Sequence, residues 1–182
     1  MLQPLYLETG RLLLHPFRPA EFSRYQELIG EIFALLSHEE TLRFIPEKRL
    51  KHRSEAERWL KAAVLNAHAG RNTVHFISDK SSGKLVGIVD IIPPAVAREH
   101  YRLAAYPHFI EFYLKAECRG KAVMSSLLPE IIKALNHQHI TQIAAVVNRR
   151  NAAASKVLQK CGFSYRCPFD GLQDFYQLVS VA

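Results

Sequence analysis

The 182-residue sequence lacks any run of about eighteen uncharged apolar residues, so no membrane-spanning helix is expected. Its opening, Met1-Leu-Gln-Pro-Leu-Tyr-Leu-Glu8, has no basic segment followed by an apolar core. No secretory leader is expected there, and the expected location is the cytoplasm. Cysteine is scarce: Cys118, Cys161 and Cys167 form an odd set without paired spacing, which argues against a disulfide framework or a zinc knuckle. The nine histidines contain no His-Glu-x-x-His pattern, and His137 and His139 stand too close in sequence to share a helical face, so no metal is expected. Glycine (8) and proline (9) stay near background, which excludes collagen-like and low-complexity chains.

What is present is a globular composition, 48% hydrophobic and 23% charged, expected to form a single domain over residues 1–182. The net charge of +7 admits a nucleic acid, an anionic cofactor or an acidic partner. The basic residues are scattered apart from Arg43, Lys48, Arg49, Lys51, His52 and Arg53, whose simplest reading is a solvated loop. No nucleic-acid reader motif accompanies them, so nucleic acid is not an expected partner.

Arg11–Phe17 reads as a short apolar strand, followed by helical spacing from Ala20 to Leu36. Ser54 with Glu57 predicts a capping box for a second helix ending at Gly70. Strands 73–78 and 84–92 flank a hairpin turn at Asp79–Gly83. Residues 93–107 read as an irregular excursion and His108–Leu114 as a strand. A Gly-containing turn (117–121) leads to a helix over about 122–135. Strand 140–147, a helix capped by Asn151 and running to Lys160, and strands 163–167 and 174–180 complete the chain. The fold class is α/β with a mixed sheet in the order β-α-α-β-β-β-α-β-α-β-β. Its late strand–helix–strand units call for parallel neighbours.

Chemistry concentrates where strand 108–114 passes through Ala116–Lys121 into a helix. Backbone N–H groups at such a helix N-terminus make a ready anion site, and Arg119 and Lys121 add positive charge. The segment Arg119-Gly-Lys-Ala-Val-Met124 resembles the pyrophosphate loop of the GNAT acetyltransferase superfamily. Leu7–Phe17, Leu42–Pro46, Gly83–Gly87, Ile110–Leu114, Asn148–Asn151 with Ala152–Phe163, and Asp174–Leu178 are similar to segments of the branch that acetylates ribosomal-protein N-termini. The resemblance implies a GNAT-like fold and acetyl-coenzyme A as co-substrate. It places Phe112, Leu114, Arg119, Gly120, Lys121, Ala122, Val123, Met124, Ser125 and Asn151 against that co-substrate.

The implied activity is N-acetyl transfer to a primary amine by direct attack in a ternary complex. Glu111 is the candidate base, and Tyr113 and Ser155 are candidate proton donors or orienting groups. On a pleated strand Glu111 and Tyr113 share a face. A free α-amine, with pKa about 7.7–8.0, is far more often neutral at neutral pH than a lysine amine at about 10.4. The acceptor expected is therefore a protein N-terminus, such as that of a ribosomal protein. Four positions depart from the family pattern. Ala122 stands where Gly is usual, Met124 where Gly or Ala is, Ala154 where Ser is common, and Leu158 where a Tyr acid often stands. A β-carbon or thioether beside the pyrophosphate would crowd it, so the alternative is a family fold that binds a ligand or partner without catalysis. Pro129 predicts a kink in the third helix. Residues 93–107 and helices 20–36 and 54–69 are expected to border the acceptor side. Cys118, beside the anion loop, is not expected to act as a nucleophile.

Overall fold

A hairpin opens the fold: β1 (Leu7–Thr9) and β2 (Leu12–His15) turn at Gly10, which adopts φ 52°, in the computed structural model, which describes residues 2–179. The expected strand 11–17 is thus the second arm of a hairpin whose first arm is too short to show a period of two. Pro19 then starts a 3-10 turn (Pro19–Arg24) before α1 (Tyr25–Ser37), so the helix expected from Ala20 is fully α-helical only from Tyr25. A short α2 (Glu39–Leu42) and a 3-10 turn (Pro46–Lys48) lead to α3 (Arg53–His68). The helix starts ahead of Ser54, so the expected capping box does not form. His52 is the N-cap without a side-chain bond, Glu55 Oε2 accepts the Lys51 N–H at 2.6 Å, and Glu57 pairs instead with Lys61 at 2.8 Å.

Strands β3 (Thr73–Asp79) and β4 (Leu85–Ile92) form the expected hairpin, with Gly83 at φ 67° in its turn. Residues 93–107 are not wholly irregular, because Pro93 and Pro94 open a helix, α4 (Pro94–His100). Proline fits the first helical turn, where its missing N–H has no acceptor anyway. Next come β5 (His108–Leu114), α5 (Val123–His137), β6 (Gln142–Asn148), α6 (Ala152–Lys160), β7 (Ser164–Pro168) and β8 (Gln173–Val179). Ser180 of the expected last strand lies outside the described residues.

Among the described residues eight strands make one mixed sheet in the order β1-β2-β3-β4-β5-β6-β8-β7. Every neighbouring pair is antiparallel except β5 and β6. Parallel neighbours are therefore found once and not twice, because β8 inserts between β6 and β7. One face of the sheet packs Leu28, Ile29 and Ile32 of α1 and Leu60 of α3 against Phe76 and Ile88. The other packs Leu127, Leu128, Ile131 and Leu135 of α5 and Leu158 of α6 against Val89, Ile110, Ile143 and Ala145. Truncating one of these fully buried α5 leucines to alanine would cost about 2–5 kcal/mol. Pro129 sits on the exposed side of α5, which runs unbroken through it. The Ser125 carbonyl that loses its helical N–H donor there is on the same exposed side, where water can serve it.

Candidate active site

Strands β5 and β6 pair through only two positions, His108 with Ile143 and Phe109 with Ala144, and then part. A cavity of about 180 Å³ opens where they separate, walled by Glu111, Phe112 and Tyr113 of β5 and by Val146, Val147 and Asn148 of β6. Asn151 and Ala154 of α6, Tyr101 after α4, and the segment from Phe44 to Lys48 line it as well.

The phase of the β4–β5 ladder decides which backbone groups reach this opening. Lys115 N–H donates to Val86 C=O at 2.9 Å, and the register runs without a shift to Asp90 opposite Glu111. Hydrogen-bonded pairs alternate along an antiparallel ladder, so Glu111 and Tyr113 spend their N–H groups on β4. Those of Phe112 and Leu114 point the other way, toward the gap. Such close packing of β4 on β5 is permitted by Gly87, where a Cβ would stand 2.5 Å from the Tyr113 carbonyl oxygen.

Glu111 anchors the polar side of the cavity. Its Oε2 accepts from Lys48 Nζ at 2.7 Å and from the Tyr113 hydroxyl at 3.0 Å. Lys48 lies over the Tyr113 ring, 5.4 Å from its centre. Burial alone would lower the Lys48 pKa, but the charge and hydrogen bond of Glu111 outweigh it and hold the ammonium protonated. Burial, reinforced by the Glu111 charge, pushes the Tyr113 phenol well above its ordinary value and raises Tyr101 too. Directly across from Glu111 on β4, Asp90 is pushed up to about 6, first by burial and then by the Glu111 charge.

The turn expected to take an anion forms at the end of β5. A 3-10 turn (Ala116–Cys118) leads to Gly120 at φ 70° and to Ala122, the N-cap of α5, held left-handed at φ 56°. The first bond of α5 in this turn runs from Ser126 N–H to Ala122 C=O at 3.0 Å. Val123, Met124 and Ser125 therefore keep N–H groups without a helical acceptor. The Met124 side chain is 3% exposed and joins the core beside Leu127 and Leu128. It packs away from the loop, so the crowding expected from its thioether does not arise. Arg119 does not stand free beside the helix end: its guanidinium donates to the Glu40 carbonyl at 2.5 Å and lies 3.9 Å from the Glu40 carboxylate. It ties the loop to α2, while Lys121 is exposed.

Asn151 caps α6 as expected, its Oδ1 accepting the Ala154 N–H at 3.2 Å. Ser155 turns its hydroxyl back onto the Asn151 carbonyl at 3.3 Å and is not among the residues lining the cavity, where Ala154 stands instead. Leu158 is fully buried in the core. Burial, with Glu117 nearby, raises the Cys118 thiol, which disfavours a thiolate. Three residues of this site escape local sequence reasoning: Lys48, Asp90 and Tyr101. Their partners are distant in the chain, and only the pairing of β4 with β5 would have put Asp90 opposite Glu111. Of the elements expected on the acceptor side, residues 93–107 supply Tyr101, whereas α1 and α3 do not line the cavity. Among the described residues no helix is long and apolar enough to cross a membrane, and no cluster of histidine, cysteine and acidic side chains is arranged to hold a metal ion.

A family model described as an acetyltransferase (GNAT) domain matches residues 11–164. No curated protein sequence matches the chain significantly. Among solved structures, a ribosomal-protein-S5-alanine acetyltransferase from Vibrio fischeri superposes with TM-score 0.72 at 16% identity, covering 96% of each chain. A ribosomal L7/L12 α-N-protein acetyltransferase in complex with coenzyme A gives TM-score 0.68 at 14% identity, over 94% of this chain and 95% of the other. A GNAT-family acetyltransferase from Bacillus anthracis gives 0.67 at 14% identity, over 96% and 98%.

Proposed function

The chain belongs to the GNAT acetyltransferase family, and on that premise we propose that it moves the acetyl group of acetyl-coenzyme A onto a primary amine, with protein N-terminal α-amines as the acceptor class. The observation that carries this reading is the parting of β5 from β6, which leaves the Phe112 N–H facing an open cavity beside Glu111 and turns the Leu114 N–H toward the same gap.

Acetyl-coenzyme A, when bound, supplies a thioester carbonyl open to attack by a neutral amine. The N–H groups of Phe112 and Leu114 are placed to polarise a carbonyl seated in the gap. The unspent N–H groups of Val123, Met124 and Ser125, with Gly120 shaping the turn and Lys121 adding charge, fit a pyrophosphate. Arg119 serves that loop by fastening it to Glu40. Ala122 keeps its N–H as any non-proline residue does, and with Met124 buried, its β-carbon is the remaining crowding group at the loop. Asn151 lines the cavity from the α6 end.

Glu111 takes the amine proton, directly or through water, with Tyr113 and Lys48 fixing its carboxylate. The Tyr113 hydroxyl is spent on Glu111 and Ser155 is turned away, so Tyr101 is the cavity's hydroxyl for protonating a leaving thiolate. An α-amine, being partly neutral at pH 7.4, asks less of such a base than a lysine amine. The likeness to acetyltransferases of ribosomal proteins points the same way.

Calorimetric titration with acetyl-coenzyme A, with Arg119→Ala as control, tests the co-substrate. Binding that the variant weakens supports the loop assignment. Peptides beginning with Ala, Ser or Met, followed by mass spectrometry, then test the acceptor. Absence of any binding heat would give way to the non-catalytic reading, a fold that holds another ligand or partner.

A further inference from the structure

Asp90 has no part in the reaction as described, yet it sits directly across the β4–β5 ladder from Glu111. Opposed residues of an antiparallel pair share a face, and like charges so placed repel. Asp90 is 8% exposed, and its two oxygens are treated unequally. Oδ2 accepts from Asn72 Nδ2 at 2.7 Å, whereas Oδ1 is buried without a hydrogen-bond partner among the described residues. Around the pair stand Lys48 and Glu47 from the Pro46–Lys48 turn, Tyr113 from β5 and Tyr101 after α4. The neighbour on β3 is uncharged Val74. One ammonium thus serves two facing carboxyl groups, and it is bonded to Glu111. The charge that the arrangement lacks is a proton, and the oxygen without a donor is Asp90 Oδ1.

We propose that Asp90 stores the proton released by the acceptor amine, so that Asp90 and Glu111 work as a two-carboxyl relay in which only Glu111 meets the substrate. This rests on the acetyl-transfer reading. An N–H bond of the acceptor ammonium breaks and its electron pair stays on nitrogen. The proton forms an O–H bond on Glu111 and then on Asp90, and it departs to water as products go, while the leaving thiolate takes its proton from Tyr101, which water reprotonates. Nothing is oxidised or reduced. Asp90 is a positioning residue that acts through Glu111. Burial favours the role: a midpoint of about 6 makes Asp90 about a hundredfold better proton acceptor than an ordinary aspartate.

The test follows the Asp90 carboxyl carbon by NMR across a pH titration, in the wild type and in Glu111→Gln. In parallel, kcat and KM are measured against pH for Asp90→Asn, with acetyl-coenzyme A and a peptide beginning with Ala. The expected result is a wild-type midpoint near 6 that falls by about one unit once the Glu111 charge is removed. Asp90→Asn should lower kcat at least roughly tenfold, leave KM for acetyl-coenzyme A unchanged and remove from the profile the inflection near about 6. A midpoint in the ordinary aspartate range that ignores Glu111→Gln would overturn the relay, as would an Asp90→Asn profile identical to wild type. If Asp90→Asn fails to fold, the wild-type and Glu111→Gln titrations still decide. A wild type that acetylates no peptide would overturn the transfer reading and the relay together, whereas uncoupled titration in an active enzyme overturns the relay alone.

Discussion

Lys48 and Glu111, 63 positions apart in sequence, meet at 2.7 Å between Nζ and Oε2, with the Lys48 ammonium over the face of Tyr113. Both side chains keep part of their surface in solvent, so the pair is screened and contributes at most about 1 kcal/mol to stability. Its larger effect is on protonation, because the Lys48 charge is among those that hold Asp90 down against burial. Lys48→Met keeps the stem and removes the charge. The Asp90 midpoint should then climb above about 6, and the acid limb of peptide acetylation should move to higher pH with it. Lys48→Arg should restore both; an unmoved midpoint in Lys48→Met would contradict this account.

Asp90 and His75 give folding stability opposite pH dependences. Asp90 is raised from 3.8 to about 6, so the folded chain binds its proton more tightly than the unfolded one. Stability from this source is full below 3.8 and is lost as pH rises through about 6. His75 is lowered from 6.5 to about 4 by burial, where its Nε2 accepts the Leu5 N–H at 2.9 Å. That contribution is full above 6.5 and is lost as pH falls through about 4. Each is worth on the order of 3 kcal/mol, so the two largely cancel across that window. In Asp90→Asn the cancellation ends. Urea unfolding should then show stability rising with pH between about 4 and 6.5, with a gain over wild type of about 2–3 kcal/mol at neutral pH.

Ala122 carries a β-carbon at φ 56°, a left-handed conformation that only glycine adopts without penalty. Ala122→Gly should stabilise the fold by about 0.5–1 kcal/mol, the relief of that strain less the added freedom of the unfolded chain. Acetyl-coenzyme A should also bind more tightly to this variant, since a β-carbon beside the loop's N–H groups is removed. Denaturation midpoints and calorimetry check the two effects separately. Equal stability and affinity in the variant would show that the turn is unstrained and uncrowded.

Gly87 has the reverse requirement, since a methyl group there would meet the Tyr113 carbonyl oxygen at 2.5 Å and Leu114 Cδ2 at 2.6 Å. Backbone cannot yield as a side chain tip can. Gly87→Ala should therefore cost about 1–3 kcal/mol and push β5 toward the gap, lowering kcat of the peptide reaction more than the melting temperature alone would suggest. Thermal melts beside kinetics on the same preparation separate the two.

Strand β5 was legible in the sequence to the residue, because an apolar run between Pro107 and Lys115 has no competing period. The left-handed helix stop at Gly70, the hairpin glycine Gly83 and the Asn151 cap were equally readable, each being set by one residue's own stereochemistry. Met124 belongs to the same apolar stripe as Val123, Leu127 and Leu128, so the helical period itself contained the sign that its side chain turns inward. Helix α4 hid behind two prolines, which end helices in mid-run yet suit a first turn. The polar cluster lay beyond local spacing altogether. Lys48 sits in a basic run that reads as solvated, and Asp90 acquires its neighbour only when β4 and β5 are laid in register.

The two register pairs that join β5 to β6 also set how the molecule carries load. Five strands stand on one side of that junction and three on the other, each group stitched by longer ladders. Tension applied across the sheet concentrates on this short seam, and a molecule lodged between Phe112 and Val147 would brace both halves. Occupancy of the gap is then a question of stiffness as much as of affinity, readable as resistance to force along a direction that crosses the seam.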